Sequence, residues 1–314
     1  MAYDVPILVI IFNRPVLTQK LFDALKILEP RHLYIASDSP RETHADDIVQ
    51  CQMSRDIFEN IDWVCSIKKK YNITNLGCDT SIREALSWFF GEVQYGIVLE
   101  DDCIPNQSFF NYCSVVLERH KDDKDIAIVC GTNHYDNIIS KNTDYFTSNL
   151  MYTWGWASWS RFVMQIKWNT KITEMEAQDL LNQHFDNKEY VHFYKNIINY
   201  FISQPIKTKP WDIEFFIFIL RNNLLTLIPS RNMIKNLGYT GEHFSTTKKN
   251  KLFNNITYEY PQKTFSNFTT LSKVNKKKLI TSFILKANSH TFRDKLYLLK
   301  QRIKKILTQA HGIS

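Results

Sequence analysis

The sequence is poor in glycine and proline and has no long apolar run. Eight glycines and nine prolines among 314 residues exclude fibrous and low-complexity chains. No stretch approaches the roughly 20 consecutive apolar residues that a membrane-spanning helix needs. The first apolar run, 5–12, is short and ends in Asn-Arg-Pro, so it predicts a buried strand and not a signal peptide. We therefore expect a cytoplasmic protein.

The cysteines show neither a metal-site pattern nor a disulfide framework. All six are scattered, with no CxxC pair and no Cys/His spacing typical of zinc, so we expect mostly buried, reduced thiols. Hydrophobic residues make up 44% of the chain and aromatic residues 14%, enough for a packed core. The length suits one large α/β domain, alone or with a substantial appendage.

Charge is unevenly distributed along the chain. The net charge is +7, yet the segment from Lys273 onward has eleven Lys or Arg and one acid, Asp294. The rest of the chain, with 28 basic and 31 acidic residues, is slightly negative. Apolar residues of this basic tail are spaced alternately by four and three, which predicts an amphipathic helix: Phe292, Leu296, Leu299, Ile303 and Ile306.

Three interpretations of the basic tail are open. It could be a solvated helical face, or a nucleic-acid patch, although no recognised nucleic-acid module accompanies it. We favour contact of 273–307 with an anionic membrane and expect no nucleic-acid partner. The protein would then lie on the inner face of the plasma membrane.

Apolar runs alternate with helix-period segments over the first 135 residues. The runs 5–12, 32–37, 62–67, 95–100 and 125–131 predict five strands. Alternation with helices, and strands that are apolar throughout, are typical of a mostly parallel, Rossmann-like sheet with helices on both faces. The predicted fold class is α/β.

Polar residues lie at or after the ends of four of these strands. They are Asn13 and Arg14 after the first strand, Asp38 and Ser39 after the second, 75–77 with Asn75 after the third, and Glu100, Asp101 and Asp102 after the fourth. Ligands of such sheets bind at the carboxyl ends of the strands. The pattern predicts a site there for an anionic, metal-associated ligand.

The acidic triplet 100–102 suits a divalent cation. In an extended segment Glu100 and Asp102 share one face and Asp101 points to the other. Two carboxylates together with ligand phosphates favour Mg²⁺ or Mn²⁺. The alternative is a solvated acidic loop beside the N-terminus of the next helix, where negative charge is favourable.

Four segments carry a resemblance to a known family. They are "PILVIIFNRP" (6–15), "GIVLEDDCIP" (96–105), "TWGWASW" (153–159) with the later Trp168, and "WDIEFF" (211–216) followed by "IPSRNMIKNLGYTGEHF" (228–244). Their order and content resemble the bacterial, cytoplasmic relatives of N-acetylglucosaminyltransferase I, which are nucleotide-sugar glycosyltransferases of the GT-A fold. The resemblance covers about residues 5–245.

The resemblance implies a division of the chain and roles for its residues. Residues 1–245 would form the glycosyltransferase domain, with 1–135 binding the nucleotide sugar and 136–245 the acceptor, and 246–314 a basic, largely helical extension. Asp102 would hold the metal, Mn²⁺ or Mg²⁺. Glu100 would contact the ribose or base, and Asp101 would help to position the sugar. Arg14 and Asp38 match nucleotide-contacting positions of the family, and we also expect Asn13, Asn75 and Arg83 to contact the nucleotide sugar.

Asp212 matches the family's catalytic base. Sugar transfer needs a carboxylate across the cleft that deprotonates the acceptor hydroxyl as it attacks the anomeric carbon. One such displacement inverts that carbon. The alternative for Asp212 is a helix N-cap, and Glu214 is the nearest substitute base.

The tryptophans around residues 154–168 and Trp211 have two interpretations. Dense aromatics usually pack a core, but sugar rings also stack on indoles. We expect Trp154, Trp156 and Trp211 on the acceptor side with Glu214, and prefer Trp211 for stacking. His243 is a candidate metal or phosphate contact, with a structural role as its alternative.

The sequence thus predicts a metal-dependent, inverting glycosyltransferase that uses a nucleotide sugar, expected to be a UDP-sugar. The acceptor would be a hydroxyl of a cell-surface glycan or a lipid-linked oligosaccharide. Two alternatives are open. One is a nucleotidyltransferase on a similar sheet, which would need a Gly-rich, basic pyrophosphate loop near the first strand, where "FNRPVLTQK" has no glycine. The other is a non-catalytic sugar-binding protein of the same fold.

Overall fold

The computed structural model describes residues 3–134, 143–186, 188–238, 257–260 and 265–269. The predicted alternation of strands and helices is present. The strands are β1 (Ile7–Ile11), β2 (His32–Ser37), β3 (Ser66–Tyr71), β4 (Tyr95–Glu100), β5 (Cys103–Pro105), β6 (Ile126–Cys130), β7 (Tyr145–Ser148), β8 (Trp156–Trp159), β9 (Leu225–Pro229), β10 (Ile234–Asn236) and β11 (Phe268–Thr269).

The helices lie between these strands and after β8. They are α1 (Pro15–Leu28), α2 (Ala45–Asp56), α3 (Cys78–Glu92), α4 (Gln107–Arg119), α5 (Ser160–Val163), α6 (Glu174–His184), α7 (Lys188–Ser203) and α8 (Trp211–Arg221), with short 3-10 helices at Ile57–Glu59 and Ile206–Thr208.

Within the described residues, nine strands form one sheet in the order β11-β7-β9-β6-β8-β4-β1-β2-β3. Five of the eight strand pairings are parallel and three are antiparallel. β1, β6 and β8 are wholly or almost wholly buried, as strands covered by helices on both faces must be. The predicted α/β class with a mostly parallel sheet is confirmed.

The strand order reverses direction at β1. The chain passes from β1 to β2 and β3 on one side and then returns to place β4 on the other side of β1. Because such crossovers are right-handed, α1 and α2 cover one face of the sheet and α3 the other. The carboxyl ends of β1 and β4 therefore meet at a topological switch point, where open α/β sheets bind their ligands.

The third strand differs from the prediction. It runs over Ser66–Tyr71 and not over 62–67. Trp63, one of the apolar residues that suggested the earlier position, lies in the loop before β3, where it packs on Phe22 and donates to the carbonyl oxygen of Pro30 at 3.0 Å. β3 lies at the edge of the sheet, and charged lysines are common on edge strands because they oppose pairing with other chains.

A second, two-stranded sheet brings a late segment to the end of β4. β10 pairs antiparallel with β5, and its Ile234 packs against Gly155, which has φ +59. A Cβ at Gly155 would lie 2.5 Å from Ile234 Cδ1. Glycine is needed here both for its backbone conformation and for the close approach.

Two described parts of the chain beyond residue 245 pack on the same body. Glu259 accepts hydrogen bonds from the backbone N–H groups of Gln107 and Ser108 at the start of α4, and β11 pairs with β7. The domain boundary at 245 stays a prediction. The expected basic helix lies outside the described residues.

Two further observations concern the cysteine thiols and the helices. All six cysteines are free, as expected, and four of them are buried. Among the described residues, no helix combines the length and the apolar character needed to cross a membrane.

We predict that Gly155→Ala destabilises the protein by about 1–3 kcal/mol, through left-handed backbone strain and overlap with Ile234. Gly91→Ala is the matched control, because a Cβ at this position in α3 meets nothing within 4 Å. The control should keep or raise the stability, by up to about 1 kcal/mol. Urea unfolding measures both changes, and equal stability of the two variants would contradict the packing described for Gly155.

Candidate functional site

Arg14 joins the carboxyl ends of β1 and β4. Its Nη1 donates to Asp102 Oδ2 at 2.9 Å, and its Nη2 forms an ion pair with Asp101. Asp101 is buried, and its Oδ2 accepts the backbone N–H of Phe12 at 3.3 Å. The guanidinium thus links two strand ends that are 88 residues apart in sequence, at the switch point of the sheet.

The acidic triplet does not continue as an extended segment. β4 ends at Glu100, and Asp101 and Asp102 form a turn before β5. Both aspartates therefore reach Arg14, and the predicted alternation, with Asp101 pointing away from Asp102, is wrong. The turn concentrates negative charge: burial, followed by the charges of Asp102 and Asp101, raises the pKa of Glu100.

The segment after β10 covers Asp102. The backbone N–H of Leu237 donates to the carbonyl oxygen of Asp102 at 2.8 Å. A Cβ on Gly238 would collide with Asp102 Oδ2, so only glycine allows this approach. His243 follows five residues later in sequence and lies outside the described residues, so its predicted contact stays a prediction.

Asp212 lies in the first turn of α8, where Pro210 is the N-cap residue. The alternative role of Asp212 as an N-cap is therefore wrong. Its Oδ1 accepts the N–H of Ile213 at 2.9 Å. Burial, and then the charge of Asp79, raise the pKa of Asp212.

Asp212 lies close enough to the end of β4 for its charge to act on Glu100. Its charge contributes to the raised pKa values of both Glu100 and Cys78, at the end of β4 and the start of α3. The predicted base and the predicted metal-binding acids are thus brought together around the carboxyl edge of the sheet. Cys78 and Asp79 were missed by the sequence analysis, and only their place just after the 75–77 loop pointed to them.

Three contacts fix the start of α8 on α3. Asp79 Oδ1 accepts the N–H of Trp211 at 3.1 Å, and Arg83 donates to the carbonyl oxygen of Lys209. Arg83 Nε also lies 3.1 Å from Glu214 Oε2, with side chains 6% and 1% exposed. Arg83 and Glu214, predicted to bind nucleotide sugar and acceptor, are each other's partners. They hold the helix that carries Asp212.

Asp38 is occupied by protein donors. Its carboxylate accepts the N–H groups of Ser39, Leu76 and Gly77 and the side-chain amide of Asn72, all at 2.9–3.1 Å. Asn75 donates to the carbonyl oxygen of Ser39. The predicted nucleotide contacts Asp38 and Asn75 therefore shape the loop that leads into α3, and we find them bonded to protein.

Asn13 is also held by a protein partner. Its Nδ2 donates to Asp47 Oδ1 at 2.7 Å, and Asp47 accepts Arg41 Nε at 2.6 Å. The hydrogen bond from Arg41, followed by that from Asn13, lowers the pKa of Asp47 to about 2. Arg41 lies over the ring of Phe12, 5.6 Å from its centroid, and was not singled out from the sequence.

The packing contradicts an acceptor-stacking role for Trp156 and Trp211. Trp156 is 1% exposed and stacks between Phe90 and Trp211, with ring centroids 6.2 and 6.1 Å apart. Trp211 is 6% exposed. Both indoles belong to the core, the alternative left open by the sequence. Trp154 is half-buried and packs edge-to-face on His134 at 5.1 Å.

The residues at the switch point fit a divalent cation. Within the described ranges, no three His, Cys, Asp or Glu side chains are grouped as a metal site, so the protein alone offers fewer ligands. Mg²⁺ and Mn²⁺ usually take one or two carboxylates and complete their coordination with water and phosphate. Three carboxylates against one guanidinium leave a negative excess that such an ion would offset. Asp102 would hold it, with Glu100 alongside.

No family model matches the chain, and no curated protein matches it either. Similar solved structures include a mannosyltransferase from Pyrobaculum calidifontis in complex with GDP-Man and Mn²⁺ (10% identity, 69% of this chain and 70% of that chain, TM-score 0.39). Another is mouse xyloside xylosyltransferase 1 (9% identity, 70% of this chain and 82% of that chain, TM-score 0.34). A third is an Acinetobacter UDP-glucose pyrophosphorylase (10% identity, 72% of this chain and 85% of that chain, TM-score 0.35).

These similarities are too low to carry an argument about function. The resemblance to the N-acetylglucosaminyltransferase I family likewise stays a prediction.

We predict that Arg83→Met destabilises the protein by about 3–5 kcal/mol, because it leaves the buried carboxylate of Glu214 without its partner. The double variant Arg83→Met/Glu214→Leu should cost less than the sum of the two single changes. A double-mutant cycle in urea measures this coupling. Strict additivity would show that the two side chains do not interact.

Asp47→Asn should destabilise the protein at neutral pH by on the order of 2 kcal/mol, since charge-assisted hydrogen bonds to Arg41 and Asn13 are weakened. The folded pKa of about 2 lies below the ordinary value of 3.8. The stabilisation is therefore complete above pH 4 and is lost as the pH falls from about 4 to 2. Thermal unfolding of both proteins between pH 2.5 and 7 measures the difference, and a pH-independent difference would contradict the assigned pKa.

Proposed function

We propose that the protein is a metal-dependent, inverting glycosyltransferase that moves a sugar from a nucleotide diphosphate to an acceptor hydroxyl. One observation carries the proposal. An acidic turn bonded to Arg14 lies at the switch point of the sheet, and a carboxylate with a raised pKa, Asp212, is near enough for its charge to act on Glu100. In this arrangement the diphosphate would bind beside Asp102 and Arg14, and the base Asp212 would lie at a separate position.

The diphosphate end of the reaction needs positive charge. As the bond between sugar and phosphate breaks, negative charge accumulates on the leaving diphosphate. Asp102 would hold a divalent ion, which would supply Lewis-acid stabilisation of that charge. Arg14, at the N-cap of α1, adds a fixed guanidinium on the same side. Asp101 keeps Arg14 in place.

The acceptor end needs a base. Asp212 takes the proton of the attacking hydroxyl at its carboxylate, and a single displacement inverts the anomeric carbon. A pKa raised toward neutrality makes a carboxylate a better proton acceptor. Asp79, Arg83 and Glu214 determine where Asp212 lies, because they fix the start of α8.

The finer assignments rest on the sequence motifs. The motif likeness to the N-acetylglucosaminyltransferase I family supports a UDP-sugar donor, a hexosyl or N-acetylhexosaminyl group and Mn²⁺. It also supports a bacterial polysaccharide or lipid-linked acceptor, contacted by Trp154, and a metal contact from His243. The basic tail supports a peripheral position of a cytoplasmic enzyme on the inner membrane face.

The test is donor hydrolysis with a panel of UDP-, GDP-, CMP- and dTDP-sugars, with Mn²⁺ and with EDTA. We expect one donor to be hydrolysed only with metal. Asp102→Ala should abolish turnover, and Asp212→Asn should lower it by about 10²–10⁴-fold while donor binding persists. Asp62→Ala, at an exposed ion pair with Lys26, is the control and should behave as wild type.

Other outcomes have distinct meanings. Hydrolysis that survives Asp102→Ala and EDTA would contradict the metal-dependent mechanism. Release of pyrophosphate from a nucleoside triphosphate and a sugar phosphate would identify a nucleotidyltransferase. Metal-dependent donor binding with no turnover in any assay would favour the non-catalytic sugar-binding protein.

A further inference from the structure

The two ion pairs of Arg14 differ in their surroundings. Asp101 is 1% exposed and is also held by the N–H of Phe12. Asp102 is 15% exposed, and Arg14 itself 32%. One end of the guanidinium is therefore fixed in the interior, and the other end meets Asp102 at the crevice. The bond between Nη1 and Asp102 is the one that a ligand can reach.

Arg14 occupies the carboxylate that the proposed metal needs. Nη1 lies 2.9 Å from Asp102 Oδ2, and the Cα of Gly238 packs against the same oxygen. The Oδ1 atom accepts the thiol of Cys103 at 3.3 Å. A divalent ion on this carboxylate would be repelled by a guanidinium so close to it. The metal and Nη1 therefore compete for Asp102.

We propose that Arg14 is an internal competitor for the metal and that it couples metal binding to diphosphate binding. A metal ion that binds Asp102 displaces Nη1, while the pair of Nη2 with buried Asp101 persists. The released N–H group then donates to the diphosphate of the nucleotide sugar. This inference rests on the proposed function, and it implies that the metal binds before the diphosphate of the donor.

The proposal predicts a coupling with a definite sign. Arg14 opposes the metal when no diphosphate is bound, and it supports the diphosphate once the metal is bound. Coupling between two ligands is reciprocal, so the metal and the diphosphate must each strengthen the binding of the other through Arg14. A positive charge that merely attracted phosphate would act equally with and without metal.

The experiment measures binding of Mn²⁺ and of inorganic pyrophosphate to the full chain by calorimetry, with the free Mn²⁺ signal in electron paramagnetic resonance as a second readout. Arg14→Leu should bind Mn²⁺ alone about tenfold more tightly than wild type. It should bind pyrophosphate about tenfold more weakly with saturating Mn²⁺, and less than about threefold more weakly without metal.

Arg14→Lys separates geometry from charge. A lysine keeps the positive charge but has a single ammonium group that cannot bridge two carboxylates as a guanidinium fork does. We expect it to stay with buried Asp101, so Mn²⁺ alone should bind about as tightly as in Arg14→Leu. If charge alone mattered, Arg14→Lys would behave as wild type, which would overturn the proposal. Circular dichroism and thermal unfolding check that both variants are folded.

Arg31→Leu is the matched control. Arg31 pairs with Asp4 at 3.2 Å, just before β2 and β1, at the amino ends of the strands whose carboxyl ends form the site. It should leave both affinities unchanged. If wild type binds Mn²⁺ and both Arg14 variants bind it equally well, the inference fails and the proposed function stands. If Mn²⁺ binds wild type neither alone nor with pyrophosphate, both fail together.

Discussion

Negative charge buried at the carboxyl end of β4 is the constraint on which the rest of the site depends. Three consecutive carboxylates lie at the end of a strand in the core of the sheet, and Arg14 after β1 is the cation that contacts two of them, Asp101 and Asp102. Burying such charges without partners would be costly. The reversal of strand order at β1 places β4 beside β1 and so brings that partner to them. The sheet topology thus provides the charge compensation.

A second chain of contacts places the proposed base. Asp38, at the end of β2, accepts hydrogen bonds from the loop before α3. The first turns of α3 then fix the start of α8 through Asp79 and Arg83. Polar strand ends that the sequence suggested as ligand contacts therefore act as supports. Through these contacts they fix the position of Asp212 relative to the sheet, although Asp212 belongs to a helix far away in sequence.

Local patterns were sufficient for much of the fold. Continuous apolar runs predicted β1, β2, β4 and β6 because burial on both faces leaves no room for polar residues. The same argument misplaced β3, since an edge strand needs less apolar character. The rule that ligands bind at strand carboxyl ends drew attention to Arg14, Asp101 and Asp102, which the structure brings into contact at the ends of β1 and β4.

Contacts between residues far apart in the chain could not be predicted from the sequence. The roles of Arg83 and Glu214 depend on a packing of α3 against α8 that no local pattern encodes. The pairing of β5 with β10, which brings Gly238 onto Asp102, joins segments about 130 residues apart. Likewise, density of tryptophan does not reveal whether an indole such as that of Trp156 is covered.

The central claim is that one crevice holds a metal ion on Asp102 opposite Asp212. Crystals grown with Mn²⁺ and UDP, measured at the manganese absorption edge, test it most directly. The account predicts an anomalous peak about 2.0–2.3 Å from an oxygen of Asp102, with the diphosphate bound to it and Arg14 turned from Asp102 toward the phosphates. Nucleotide bound elsewhere on the protein, or manganese away from the acidic turn, would contradict the account.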